Sequence, residues 1–177
     1  MAPKNRYELS AMMEYAVKYD GPVALKYPRG NAYYGMKEFH EPLRHGKSEK
    51  IKAGNKVAII GVGSMMEQAF ETCELLEKEG YMPTLINARF IKPLDVEMLE
   101  ELKKDHELIV TMEENIASGG YGSAVTYWAA QQKNPIPILP ISLPDIYLEH
   151  GSVNQLKDRY GLTAEKMAER IIKTLNN

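Results

Sequence analysis

From Lys56 onward the chain alternates short apolar runs of strand type with amphipathic stretches of helical period, and this alternation narrows the possible folds most. Lys56-Val57-Ala58-Ile59-Ile60 is a continuous run of the kind buried on both faces, ended by Gly61-Val62-Gly63-Ser64. Met66, Ala69, Phe70, Cys73 and Leu76 recur at helical spacing, which predicts a helix from about Met65 to Glu79, stopped by Gly80. Thr84-Leu85-Ile86-Asn87 is the next strand. Asp95 is placed to cap a helix through about Lys104, with Val96, Leu99 and Leu102 inward. Leu108-Ile109-Val110 marks a strand, and Ser118-Gly119-Gly120-Tyr121-Gly122-Ser123 opens a helix holding Val125, Trp128 and Ala129. Ile136 to Ile141 is apolar, but Pro137 and Pro140 suit an edge strand or a strand end. Helices near Ser152 to Tyr160 and Thr163 to Leu175 follow. This order specifies an α/β fold, a mostly parallel sheet flanked by helices, with Ile59, Phe70, Leu76, Leu99, Ile109, Val125 and Trp128 in its core.

The first 55 residues read differently. Tyr7 to Tyr19 has helical period, with Leu9, Met12, Met13, Ala16 and Val17 on one side and Glu8, Glu14 and Lys18 on the other. Asp20-Gly21-Pro22 stops it, and Val23-Ala24-Leu25-Lys26-Tyr27 reads as a short strand ended by Pro28-Arg29-Gly30. Asn31 to Asn55 shows no sustained period and reads as a connection. A lone helix and strand cannot bury both their faces, so this head looks like the end of another domain.

Composition excludes some classes of function. A formal net charge of −2 gives no general argument for nucleic acid or membrane binding. Residues 1–50 hold nine Lys/Arg against six Asp/Glu, a net +3, and the remainder thirteen against eighteen, a net −5, so the head could face an anion. Cys73 is the only cysteine, which rules out an internal disulfide and suits a reducing compartment. No apolar run approaches the ~18 residues of a membrane helix, and the first residues lack a signal-peptide core. The chain reads as cytoplasmic.

Several residue clusters could carry chemistry. Gly61-Val62-Gly63 between strand and helix suits phosphate, but Met66 stands where a dinucleotide pattern has its third glycine, and Asn87-Ala88-Arg89 follows the next strand where a ribose-binding acid would stand. A tight strand-to-helix turn needs glycine in any case. Glu113-Glu114-Asn115 before Gly119-Gly120 and Gly122 could serve acid/base work or Mg²⁺. The favoured reading is structural: carboxylates capping helix N-termini. Cys73 reads as a core residue. His40, His45, His106 and His150 lack metal-ligand spacing, and Leu143-Pro144-Asp145 reads as a turn. Arg29 is the leading candidate, because Pro28 and Gly30 would project its guanidinium from a strand end, where ligands sit in parallel sheets. Its planar fork suits phosphate, or a salt bridge to a neighbouring domain.

Gly21-Pro22-Val23-Ala24-Leu25-Lys26-Tyr27-Pro28-Arg29-Gly30 resembles the GPxAxRYPRG strand of the 1-deoxy-D-xylulose-5-phosphate synthase family, transketolase-like thiamine-diphosphate enzymes. Asn87-Ala88-Arg89-Phe90-Ile91-Lys92-Pro93-Leu94-Asp95, the stretch His106 to Val125, and Leu143-Pro144-Asp145 with His150-Gly151 are similar to that family in the same order. The Glu-Glu-Asn and Gly-Gly loop is shared with transketolase and 2-oxo-acid dehydrogenase β-subunits, whereas Tyr-Pro-Arg-Gly with Asn-Ala-Arg-Phe-x-Lys-Pro-Leu-Asp points to the synthases. Lys26 stands where the family usually has Arg, and keeps the charge.

The resemblance implies a transketolase C-terminal-domain-like fold. It makes residues 1–30 the last helix and strand of a pyrimidine-binding domain, 31–50 a linker and 51–177 the C-terminal domain. It implies a homodimeric enzyme that condenses pyruvate with glyceraldehyde 3-phosphate, releasing CO₂, for isoprenoid, thiamine and pyridoxal synthesis. Thiamine diphosphate and Mg²⁺ would serve the whole enzyme. No Gly-Asp-Gly motif for that metal occurs in this sequence, so no catalytic, cofactor-binding or metal-binding residue carries over. The chain alone is expected to be inactive and to work with the enzyme's N-terminal domains. Arg29 alone carries over, as the ligand of the aldehyde's phosphate. The alternatives are the C-terminal half of a split transketolase and a non-catalytic docking or regulatory module of the same fold.

Overall fold

The computed structural model describes residues 1–176. Strands β1 (Glu49–Lys52), β2 (Lys56–Gly61), β3 (Thr84–Asn87), β4 (His106–Ile116) and β5 (Ile138–Leu143) form one sheet in the order β1-β3-β2-β4-β5. Pairings from β3 through β5 are parallel, and β1 lies antiparallel on β3 at one edge. The helices are α1 (Arg6–Lys18), α2 (Met66–Lys78), α3 (Val96–Asp105), α4 (Tyr121–Ala130), α5 (Val153–Arg159) and α6 (Ala164–Leu175).

Side chains alternate across the central strands and so build a core on each face. Val57 and Ile59 of β2 and Leu108 and Val110 of β4 pack with α2 and α6 residues such as Leu76 and Ile171. Ala58, Ile60 and Ile109 point to the opposite face, against Leu99 and Leu102 of α3 and Val125 and Trp128 of α4. Fully burying an aliphatic side chain contributes roughly 1.5–3 kcal/mol, so these two layers dominate the stability.

Most elements fall where the residue pattern places them. Phe70 is the exception among the expected core residues, because it is only partly buried at the margin of its cluster. Val96 is 45% exposed, since it begins α3 on the solvent side while Leu99 and Leu102 face inward. β1 arises inside the stretch read as lacking period. Ile51 is its single apolar residue, and its lysines fit an edge facing water.

The head differs more. Val23 to Tyr27 forms no strand. Among the described residues its backbone is bonded to the N-terminus, with the Met1 ammonium donating to the Ala24 carbonyl at 2.8 Å and Lys26 N donating to the Met1 carbonyl at 2.9 Å. An extended segment needs a neighbouring strand to complete a ladder. In α1 the expected faces hold only in part: Met12 is buried and Glu14 and Lys18 are exposed as expected, but Met13, Val17 and Glu8 depart from the pattern. Val17 is 85% exposed, whereas Glu8 is 6% exposed.

Candidate functional site

Arg29 lies at a cleft of about 440 Å³. Residues 27–33 and the start of α1 form one wall; Ser64, Glu67, Glu114 and Lys157 form the other. Ser64 follows β2, and Glu114 lies near the end of β4, so the cleft sits over the carboxyl ends of two parallel strands. Such ends gather ligands because the chain leaves the sheet there through loops and helix starts. Arg29 is exposed and has no ion-pair partner among the described residues.

On the opposite wall Glu114 is satisfied by its neighbours, while Glu67 adds a second carboxylate. Glu114 accepts from Ser64 Oγ at 2.7 Å and pairs with Lys157 Nζ at 2.8 Å. Burial acts to raise its carboxyl, but the hydrogen bonds from Lys157 and Ser64 and the charges of Lys157 and Lys26 hold it below the ordinary value. Lys26 also bonds the side chain of Asn115, which ties the Arg29 segment to the end of β4.

Glu113 has the structural role its position suggested. The register of β4 on β5 breaks between Met112 and Ile116, so Glu113-Glu114-Asn115 bulges from the ladder. That bulge turns Glu113 to the N-terminus of α4, where it accepts from Tyr121 N at 2.9 Å and Gly122 N at 2.7 Å. A Cβ on Gly120 would lie 2.6 Å from the same carboxylate, so glycine there lets the loop approach. The anion also complements the positive end of the helix.

Gly61, Gly63, Cys73, His106 and His45 are held by packing or by hydrogen bonds, whereas His40 and His150 are exposed. Gly61 cannot carry a Cβ without meeting Met66, and at Gly63 (φ 57°) a Cβ would lie 3.1 Å from Ala2 Cβ. The N-terminal segment thus covers the turn where a phosphate would have to approach. Burial, then the nearby Glu77, pushes the Cys73 thiol up to about 12. His106 bridges Thr84 Oγ1 at 2.7 Å and the Leu102 carbonyl at 2.9 Å, and His45 accepts or donates at Tyr15 Oη at 2.6 Å.

A second hollow of about 770 Å³ lies between α1 and residues 90–93, lined by Tyr15, Tyr19, His45 and Phe90 among others. It is larger but mainly apolar, with Lys26 and Lys92 as its formally charged side chains. The smaller cleft has the more ionisable lining, with Lys4, Arg29 and Lys157 beside Glu67 and Glu114.

The structure adds a buried ionic cluster that residue patterns did not suggest. Lys4 Nζ reaches Glu8 at 3.1 Å and Glu49 at 2.6 Å, and Arg89 reaches the same two carboxylates at 2.8 Å each. Asn87 Nδ2 donates to Glu8 at 2.9 Å. All five residues are buried, and the two cations balance the two anions. Burial works to raise Glu49, yet Lys4, Arg89 and Asn87 together hold it below its ordinary value. The legible signal was local: Asn5 three residues before Glu8 has the spacing of a helix cap, but Asn87 and Arg89, which hold the Glu8 side chain, lie 79 and 81 residues away along the chain.

Thiamine diphosphate needs Mg²⁺ held by oxygen ligands. Glu113 is committed to α4, and Glu114 to Lys157 and Ser64. Among the described residues no group of three or more His, Cys, Asp or Glu is arranged to hold a metal ion. Among the described residues, these carboxylates are therefore committed to other partners and do not fit the cofactor's Mg²⁺.

Residues 46–167 match the family model described as transketolase, C-terminal domain. The chain is 43% identical over 172 residues to the 1-deoxy-D-xylulose-5-phosphate synthase of Lachnoclostridium phytofermentans, covering 97% of this chain and 28% of that protein. The synthase of Dictyoglomus thermophilum is 42% identical over 177 residues, with 99% and 29% covered. The chain thus spans less than a third of the length of these curated relatives. Among solved structures, a split-gene transketolase described as an inactive beta4 tetramer superposes with a TM-score of 0.90 at 28% identity, covering 99% of this chain and 57% of that one. The transketolase of Campylobacter jejuni shares the fold, with a TM-score of 0.70 at 16% identity over 97% of this chain and 25% of its own.

Proposed function

The chain belongs to the transketolase C-terminal domain family, and we propose that it is the carboxy-terminal part of a 1-deoxy-D-xylulose-5-phosphate synthase in which Arg29 holds the phosphate of glyceraldehyde 3-phosphate. The observation that carries this reading is the exposed guanidinium at a cleft over the carboxyl ends of β2 and β4. Similarity to the synthases over nearly the whole chain supports the reaction class. The enzyme would join the two-carbon fragment of pyruvate to the aldehyde with loss of CO₂, as a cytoplasmic homodimer. This reading assigns thiamine diphosphate, Mg²⁺ and the groups that move protons to the enzyme's N-terminal domains. Residues 1–30 would close the pyrimidine-binding domain, 31–50 would connect, and 51–177 would form the C-terminal domain.

A bidentate arginine can satisfy two oxygens of a phosphate monoester. Loss of one charge-assisted contact costs about 1.5–3 kcal/mol, roughly tenfold to hundredfold in affinity. In the enzyme that contains this chain, Arg29→Ala should raise KM for glyceraldehyde 3-phosphate and leave that for pyruvate nearly unchanged. Arg29→Lys should recover part of the loss, because an ammonium supplies charge without the fork. Unphosphorylated glyceraldehyde is the control. Equal impairment of both aldehydes would assign Arg29 to holding the domains together.

The superposition on a split-gene transketolase favours a second reading, the C-terminal subunit of a two-gene transketolase. Substrate use separates the two. A synthase consumes pyruvate and releases CO₂, whereas a transketolase moves a two-carbon unit from a ketose phosphate without CO₂ release.

A further inference from the structure

The loop that carries Arg29 is exposed from Tyr27 to Ala32, and among the described residues one short strap, Met1 to Arg6, hydrogen-bonds the chain on both sides of it, beside the Lys26–Asn115 bond on the near side and the core packing of Tyr33 and Met36 on the far side. On the near side, Met1 exchanges bonds with Ala24 and Lys26 at 2.8 and 2.9 Å. On the far side, Arg6 N donates to the Tyr33 carbonyl at 3.1 Å, and Asn5 Nδ2 donates to the carbonyls of Gly35 and Met36 at 2.9 and 3.2 Å. The Arg6 guanidinium also lies 4.8 Å from the centre of the Tyr34 ring. The strap is in turn fixed to the sheet. Ala2 N donates to the Arg89 carbonyl at 2.9 Å, and Lys4 and Glu8 enter the buried cluster with Glu49 of β1 and Asn87 and Arg89 at the end of β3.

From this chain of contacts we infer that Asn5 is a positioning residue, which clamps the far end of the Arg29 loop and, through the cluster behind it, references that loop to β1 and β3. Asn5 is suited to this because it is buried and does two jobs at once. Its Oδ1 accepts from Glu8 N at 2.9 Å to cap α1, while its Nδ2 holds the loop. The lost freedom of an exposed loop is a cost at the moment of binding, and a clamp removes part of it beforehand. The inference rests on the reading of Arg29 as an anion ligand for its functional meaning, but not for its geometry.

Substitution within the cluster, such as Glu8→Gln, leaves buried charge unpaired and is able to prevent folding. Asn5→Ser avoids this, because serine keeps a cap for Glu8 N but has no amide to hold Gly35 and Met36. Amide hydrogen exchange of the full chain followed by NMR tests the clamp. The Arg6 amide, bonded to Tyr33, should exchange about fivefold or more faster in Asn5→Ser, the order expected for loss of a supporting hydrogen bond. The Leu9 amide in α1 and the Ile109 amide in β4 should be unchanged. Asn5→Ala should accelerate the Glu8 and Leu9 amides as well, because it removes the cap. An unchanged Arg6 amide in Asn5→Ser, or equal acceleration at Arg6 and Ile109, would overturn the inference. Titration with inorganic phosphate judges the Arg29 reading separately. The wild type should shift the Arg29 side-chain resonance, Asn5→Ser should bind several-fold more weakly, and Arg29→Ala should not respond. If the wild type shows no response to phosphate, the anion reading fails, and the exchange comparison still decides the clamp.

Discussion

Glu113 uses both carboxylate oxygens on backbone donors, Oε2 on Tyr121 N and Oε1 on Gly122 N. Glu113→Gln should therefore be costly although the shape is conserved, because whichever way the amide is turned its NH₂ group faces an N–H. A hydrogen bond to a charged group contributes about 1.5–3 kcal/mol, and thermal denaturation should show a loss of that order. A change of less than about 0.5 kcal/mol, the range of an ordinary surface substitution, would show that α4 does not depend on this carboxylate. The pairing was legible in part. Two carboxylates ahead of a glycine-rich helix start suggested a cap, but the division of labour between Glu113 and Glu114 came from the bulge in β4, which sends one inward and the other to Lys157.

Caps and apolar periods located the elements, and Asp95 is the clearest case. Its Oδ1 accepts from Met98 N at 3.3 Å at the start of α3, as the sequence suggested. The structure adds a second duty, since Oδ2 accepts from the buried Ser48 N at 2.7 Å just before β1. Asp95→Ala should cost about 1–2 kcal/mol, at the upper end of the range for an N-cap, because it also strands the Ser48 donor. Chemical denaturation should report this as a lower midpoint with little change in slope. β1 itself escaped detection because one apolar residue in four gives no period. Its pairing is supplied by β3, which no local rule contains. The same reasoning in reverse explains Val23 to Tyr27, where strand-type residues lack a neighbouring strand.

On the scale of the molecule, the buried cluster makes the head and the sheet depend on each other and on pH. Glu49 and Glu114 are both held below the ordinary carboxylate value of 4.5. A depressed carboxyl binds its proton more weakly in the folded state than in the unfolded one. Its contribution is thus complete above the unfolded value and disappears as pH falls through the lower folded value. Stability should be nearly constant from pH 7 to 5 as far as these two groups are concerned, and should decline below about pH 4.5. The buried Glu49 should resist added salt more than exposed pairs such as Arg159–Glu149. Denaturation curves at pH 7, 5 and 3.5 check this, and a stability that rose on acidification over that range would contradict it.

The sequence by itself determined the α/β order, the two-faced core around Ile59 and Ile109 and the cap at Asp95. Each is written in local periodicity or in a short motif, where neighbours along the chain are also neighbours in space. Only the tertiary structure decided that Glu8 is buried while Val17 is exposed, that Glu49 begins a strand, and that the head is fastened to the sheet by Lys4 and Arg89. A buried charge is tolerated when partners from distant segments neutralise and hydrogen-bond it. Those partners meet only after the chain has folded, so no window of sequence around Glu8 or Glu49 could have revealed them.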